Sequence, residues 1–331
     1  MKVLVTGGAG YVGSHVVAAL VDAGHEPVVY DNLSEGHRAA VPQGVKFVEG
    51  DISDLASVGE ALASHDVEAV AHLAANCYVG ESVQNPMKYF RNNVVGSLVL
   101  LEAMLASGVK RIVFSSSAAV YGEPRTDLIT EDAPKLPVNP YGETKRVFES
   151  ALDSAAPAYR LAAVSLRYFN ASGAWPERSL GEDHDPETHL IPLVLRSALG
   201  GPEVRIFGTD YPTPDGTAVR DYVHVRDLAQ AHVLALATAE EGRHLAFNLG
   251  SEGGFSVSGV VSLAREITGR NIRAAAAPRR SGDPPRLVAS SARAREVLGW
   301  KPEHSSLREI VESAWKWHLS KPDGYGDRHR K

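Results

Sequence analysis

The first half of the chain alternates short apolar runs with helix-length segments, and this pattern limits the fold more than any other feature. Val3-Leu-Val5, Pro27-Val-Val-Tyr30, Lys46-Phe-Val48, Ala69-Val-Ala71 and Arg111-Ile-Val-Phe114 read as buried strands. Gly13 to Ala23 and Asn92 to Ala106 have the length and pattern of helices between them. Such alternation predicts an α/β fold, a doubly wound parallel sheet with helices on both faces. Ligands of such sheets bind at the carboxyl ends of the strands, so the residues just after each strand carry the information. Ala163 to Phe169 reads as a sixth strand. Gly, Pro and charged residues then crowd Gly173 to Pro186, and turn formers recur from Pro202 to Arg220. Val225 to Ala239 has a helical pattern and Leu245 to Leu249 reads as a strand; both are expected to return to the main sheet. The expected division is therefore residues 1–170 with 223–249, and a smaller discontinuous α/β unit from 171–222 and 250–331.

Composition narrows the function classes. The 331 residues are 44% hydrophobic and 22% charged, with a net charge of −6, which argues against a nucleic-acid partner. Arg328, His329, Arg330 and Lys331 are basic but read as a frayed tail. A single cysteine, Cys77, allows no intrachain disulfide and suggests a reducing, cytoplasmic setting. No secretory leader is evident, and no run approaches the roughly 20 apolar residues that span a bilayer. The 13 histidines show no HExxH or Cys/His ligand spacing, so no metal is expected.

Thr6 to His15 reads TGGAGYVGSH directly after the first strand. Gly7, Gly10 and Gly13 have the spacing of a dinucleotide turn: one glycine for the bend, one for phosphate approach, one for helix–strand packing. The helix that follows offers its amino end to phosphates. Asp31, at the end of the second strand, is placed to accept hydrogen bonds from an adenosine ribose. It would repel a ribose phosphate, so NAD is favoured over NADP. Asp51, after the third strand, stands where an adenine would lie.

Asn139-Pro-Tyr-Gly-Glu-Thr-Lys145 points to the reaction class. Asparagine followed by proline is a good helix start. Tyr141 and Lys145 then fall at i and i+4 on one face. A lysine ammonium beside a phenol favours the phenolate and lowers its pKa, giving a base for a carbohydrate hydroxyl. Phe114-Ser-Ser-Ser117 follows the fifth strand, and a hydroxyl there can share a proton with substrate and tyrosine.

TGGAGYVGSH, Asp31-Asn-Leu33, His72-Leu-Ala-Ala75, SSSAAVYG and NPYGETK together resemble the extended short-chain dehydrogenase/reductases, whose cofactor domain is a Rossmann sheet. More narrowly, the chain is similar to the UDP-galactose (UDP-glucose) 4-epimerases. Val79-Gly-Glu-Ser82, Leu166 to Asn170, Phe207 to Tyr222, Arg280-Ser-Gly-Asp283 and Ala314 to His318 extend the likeness over nearly the whole chain. The resemblance implies a tightly held NAD lying along Gly7, Gly10, Tyr11, Val12, Gly13, Asp31, Asn32, Leu33, Ser34, Gly36, Asp51, Ile52, Leu73, Ala74, Ala75, Asn92, Ser115, Tyr141, Lys145, Tyr168 and Phe169. It implies Tyr141 as base, Lys145 as its tuner on the nicotinamide ribose, and Ser117 as bridge to the sugar 4-hydroxyl. A UDP-sugar is implied at Asn170, His189, Leu190, Arg205, Ile206, Phe207, Arg220, Tyr222, Arg280 and Asp283. A homodimer built from cofactor-domain helices is implied as well.

The sequence departs from that pattern in places. Asn76-Cys77-Tyr78 lacks a lysine that some members carry, and His189 replaces a common asparagine. Leu287 occupies the position where side-chain size gates N-acetylated sugars. Other nucleotide-sugar enzymes of the same type remain open, including UDP-N-acetylglucosamine and UDP-glucuronate 4-epimerases. Ser116-Ser117-Ala118 lacks the acidic pair of the dehydratases. A non-catalytic NAD sensor is the alternative from another class.

Overall fold

The structure is a computed structural model that describes residues 1–124, 126–280 and 283–327. Ser281 and Gly282 of the Arg280–Asp283 segment, and the basic residues at 328–331, lie outside the described residues.

Seven parallel strands form the main sheet: β1 (Lys2–Thr6), β2 (Glu26–Asp31), β3 (Lys46–Glu49), β4 (Ala69–His72), β5 (Arg111–Ser115), β6 (Ala162–Tyr168) and β7 (His244–Leu249). Their order is β7-β6-β5-β4-β1-β2-β3. The order reverses at β1, with β2 on one side and β4 on the other, and a crevice opens there at the carboxyl edge. The expected return of the later segments holds, since β7 pairs with β6 from His244 opposite Ala163 to Leu249 opposite Tyr168.

Alternation along each strand builds two cores. Val3 and Val5 of β1 face one layer and Leu4 the other. On the first face lie α1 (Tyr11–Asp22) and the later helix Val225–Thr238, whose Leu228, Ala231 and Ala235 meet Val16, Val17 and Leu20. On the second face lie α2 (Leu55–Ser64), α3 (Ser97–Ala106) and α4 (Pro140–Tyr159). A smaller apolar cluster joins three further helices, Leu190–Ala198, Val257–Thr268 and Leu307–Ser320, through Ile191, Val194, Val260, Ile310 and Val311. Ala294, Leu298 and Trp300 pack back on the first core, and the Trp300 indole donates to the Asp227 carbonyl at 2.9 Å.

One local feature differs from the sequence expectation, and a second carried no signal in the sequence. The segment expected as one helix from Asn92 opens with a wide π turn, Phe90–Gly96, before α3. That turn lets the Asn93 side chain accept from the Asn76 N–H at 2.8 Å and places Asn92 beside the crevice. Ala274–Ala277, which has little strand character in sequence, pairs in parallel with Val204–Phe207. Tertiary pairing overrides the weak β preference of alanine there.

Candidate active site

One cavity of about 740 Å³ runs along the carboxyl edge of the sheet. At one end the chain leaves β1 through Gly7, whose φ is +71°. A Cβ on Gly7 would lie 2.5 Å from the Ala74 nitrogen, and one on Gly13 would lie 2.0 Å from the Gly7 oxygen. Both glycines are therefore fixed by packing. Gly10 differs: a Cβ there meets only the Gly7 oxygen, at 3.3 Å. It caps α1, lines the cavity and leaves its backbone open to an approaching phosphate.

Asp31 closes this end. Its Oδ2 accepts from the Ala9 N–H and its Oδ1 from the Leu33 N–H, both at 2.9 Å. Burial pushes its pKa up, against those two hydrogen bonds. Ribose hydroxyls would share a carboxylate that already holds the glycine turn in place. These features fit a dinucleotide with an unphosphorylated ribose.

The middle of the cavity holds the expected reactive group. Asn139 accepts from the Gly142 N–H at 2.9 Å and Pro140 follows it, which starts α4 as the sequence predicts. Tyr141 and Lys145 then face the cavity together with Ser117. Ser117 also caps the turn Ala118–Tyr121, its Oγ accepting from the Ala119 N–H at 3.1 Å. Its hydroxyl is therefore held by the turn while it faces Tyr141.

The electrostatics differ from the sequence expectation of a lowered Tyr141 pKa. Burial pushes the phenol well up, and the hydrogen bond with the Ser117 hydroxyl only partly opposes this. Lys145 stands with its Nζ 5.8 Å from the centre of the Tyr141 ring and donates to the Ser115 carbonyl at 2.9 Å. Burial pulls its own pKa down to about 8. Its ammonium is thus itself desolvated and partly committed elsewhere, which is why burial wins at Tyr141.

A buried ion pair lies beneath this group. Glu149, two turns along α4 from Tyr141, receives Arg167 Nε at 2.8 Å and Nη2 at 2.7 Å, and the Ser116 hydroxyl at 2.6 Å. Arg167 also donates to the Tyr121 hydroxyl at 2.7 Å, which in turn donates to Asn248 at 2.7 Å. The network ties the serine loop to α4 from both ends. Sequence reading missed it because the partners are distant along the chain.

The other end of the cavity is cationic. Arg220 pairs with Asp283, and the Arg280 guanidinium lies 4.1 Å over the Phe207 ring. Asp283, which the resemblance implies for the UDP-sugar, orients Arg220 in this structure. Asn170 donates from its amide to the Asp221 carbonyl at 2.7 Å.

The cavity wall thus gathers Gly7, Gly10, Tyr11, Val12, Gly13, Asp31, Asn32, Ser34, Gly36, Ile52, Leu73, Ala74, Ala75, Asn92, Ser115, Ser117, Tyr141, Lys145, Tyr168, Phe169, Asn170, His189, Arg220, Arg280 and Asp283. Leu33, Asp51, Leu190, Arg205, Ile206, Phe207 and Tyr222 are not part of it. Each has a physical reason. Asp51 turns its carboxylate to Ser53 and the Asn32 amide. Tyr222 is 3% exposed and belongs, with Leu190, to the smaller apolar cluster. Leu33 packs on the first core, and Arg205 points to solvent on the edge pair with Ala274–Ala277. Ile206 shares that pair, and Phe207 sits behind Arg280.

Several wall residues were not singled out for binding. Cys77 lines the cavity, half-buried, and burial pushes its thiol pKa up, so it is poorly reactive there. Glu182 and His184 line it beside His189. The repeated carboxylate–imidazole pattern from Glu182 to His189 was the available signal.

Residues 3–250 match the family model described as the NAD dependent epimerase/dehydratase family. The UDP-glucose 4-epimerase of Corynebacterium glutamicum is 55% identical over 316 residues, 95% of this chain and 95% of that protein. The crystal structure of UDP-glucose 4-epimerase from Brucella ovis in complex with NAD is 48% identical, with a TM-score of 0.91, covering 95% of this chain and 97% of that one. The enzyme from Bifidobacterium longum, solved with NAD+ and UDP, is 37% identical with a TM-score of 0.92, covering 98% and 100%.

Proposed function

The chain belongs to the NAD dependent epimerase/dehydratase family, and from that premise we propose that it interconverts UDP-galactose and UDP-glucose through a 4-keto sugar. The observation that carries this reading is one continuous cavity. It joins the glycine turn and Asp31, the Ser117–Tyr141–Lys145 group and the Arg220–Asp283 pair in one line.

NAD, when bound, supplies the hydride acceptor and a positive ring that favours the Tyr141 phenolate. Gly10 would receive its pyrophosphate and Asp31 its ribose, on a turn shaped by Gly7 and Gly13. Lys145 would hold the inner ribose, and its ammonium, 5.8 Å from the centre of the Tyr141 ring, stabilises negative charge on Tyr141. Tyr141 takes the proton of the sugar 4-hydroxyl, and Ser117 holds that hydroxyl in line. Arg220 and Arg280 hold the diphosphate with planar, charged donors. Their remote binding keeps the keto sugar in the cavity while its ring turns over. Tyr141 then returns the proton as the opposite face is reduced.

Residues 171–222 and 250–331 form the unit that holds the UDP end, a division supported by the smaller apolar cluster. The enzyme pairs with a second copy through its cofactor-unit helices, where Met87, Val95 and Leu98 are exposed. The lone cysteine and the −6 charge suit a cytoplasmic enzyme. Among the described residues no helix is long and apolar enough to cross a membrane. Incubating the purified protein with UDP-galactose, then separating the nucleotide sugars, tests the reading. UDP-glucose is the expected product; none, with or without added NAD, would refute it.

A further inference from the structure

The loop between Gly181 and Leu190 folds four side chains of metal-ligand type into one knot, and Glu182, His184 and His189 of it line the cavity wall. Glu182, His184, Glu187 and His189 each present one ligand atom, all within 4.8 Å of one another. His189 Nδ1 lies 2.8 Å from Glu182 Oε1 and 3.0 Å from Glu187 Oε1. His184 Nδ1 lies 3.1 Å from the same Glu182 oxygen and 4.0 Å from Glu187 Oε2.

Glu187 supplies the independent observation. Its Oε1 accepts the backbone N–H groups of Thr188 at 2.7 Å and His189 at 2.8 Å, which fixes the carboxylate head. Its Oε2 is buried and has no hydrogen-bond partner among the described residues, and the side chain is 1% exposed. A desolvated anionic oxygen with no hydrogen-bond donor, its nearest imidazole nitrogen 4.0 Å away, is costly, and a cation satisfies it. Two carboxylates thus converge on two imidazole nitrogens, a set of donor atoms close enough together to share one ion.

We propose that Glu182, His184, Glu187 and His189 form a binding site for a divalent cation of the zinc class. Two imidazole nitrogens and two carboxylate oxygens are a mixed donor set suited to zinc in four-coordinate geometry. Calcium and magnesium prefer all-oxygen sites, so they compete poorly here. The ion ties the loop to itself beside the cavity. It takes no part in the proton and hydride steps described above.

The test uses the full-length protein, stripped with a chelator and dialysed against micromolar zinc without nucleotide sugar. One equivalent of bound zinc is expected. Cobalt(II) in its place should give the visible absorption of a four-coordinate site. His184→Ala and Glu187→Gln should each weaken zinc binding at least about tenfold, with circular dichroism confirming that each variant is folded. Should one variant fail to fold, the other and the cobalt spectrum still decide. Absence of stoichiometric zinc, or equal binding by folded variants, overturns the proposal and leaves a cluster of histidine–glutamate ion pairs. Neither readout depends on which sugar is turned over.

Discussion

Lys145 Nζ lies 5.8 Å from the centre of the Tyr141 ring and 2.9 Å from the Ser115 carbonyl that it donates to. The lysine is placed to stabilise a phenolate, while burial keeps the phenol protonated in the protein alone. Replacing Tyr141 with phenylalanine removes the base and leaves the ring in place. Tyr141→Phe should lower kcat by about 100-fold or more, the usual span for a general acid–base group, and retain NAD. Steady-state turnover together with the absorbance of bound nucleotide checks both parts.

The buried lysine also predicts a pH signature of stability. Burial lowers its folded pKa from 10.5 to about 8. Between those values the unfolded chain binds the proton more tightly, so stability rises with pH across that window. Below about pH 8 both states are protonated and the desolvation penalty is present in full. Lys145→Met should therefore be more stable than the parent at neutral pH, by on the order of 1–2 kcal/mol after losing one hydrogen bond. The gain should shrink from about pH 8 to 10.5. Urea unfolding at neutral and alkaline pH, without nucleotide, measures it.

The Glu149–Arg167 pair should behave as a buried unit. Burial opposes the charge on Glu149, but Arg167 and Ser116 outweigh it and hold the pKa below its ordinary value. That contribution is present above the unfolded carboxylate pKa and is lost as pH falls through the folded one. Arg167→Met alone should cost roughly 3 kcal/mol, because it leaves the buried Glu149 carboxylate with only the half-buried Lys135 and the Ser116 hydroxyl as partners. The double change Glu149→Leu with Arg167→Met should recover much of this in a double-mutant cycle.

Asp31→Asn should weaken NAD binding by about tenfold, since it replaces charged acceptors with a weaker amide. The preference for NAD over NADP should fall at the same time. Titration of nucleotide-free protein with each cofactor gives both numbers.

Leu287 lines the cavity and packs with Val120 and Tyr121 behind the serine loop. Leu287→Ser should raise the ratio of UDP-N-acetylglucosamine to UDP-glucose turnover. An unchanged ratio would remove the residue as a gate.

Much of this was legible in the sequence for local reasons. The strands β1 to β5 stand out as apolar runs, and Asn139-Pro140 marks the start of α4 by its own capping chemistry. The glycine turn is legible because Gly7 and Gly13 answer to backbone contacts within one strand–turn–helix unit. The rest depends on partners far apart in sequence. Arg167 and Glu149 meet only once β6 lies against β5, and Ala274–Ala277 is a strand only beside Val204–Phe207. Tyr222 has the polarity of a ligand-binding residue, yet its ring is claimed by the smaller core. Spacing reveals a charge beside Tyr141 and not the depth of burial that raises the phenol pKa in the protein alone.

The central claim is that hydride leaves and returns at carbon 4 within one cavity. UDP-galactose carrying deuterium at carbon 4 tests it most directly, with the product read by mass spectrometry and NMR. The account predicts UDP-glucose that keeps its deuterium at carbon 4. Deuterium washed out to solvent during conversion, or conversion by Tyr141→Phe at the parent rate, would contradict it.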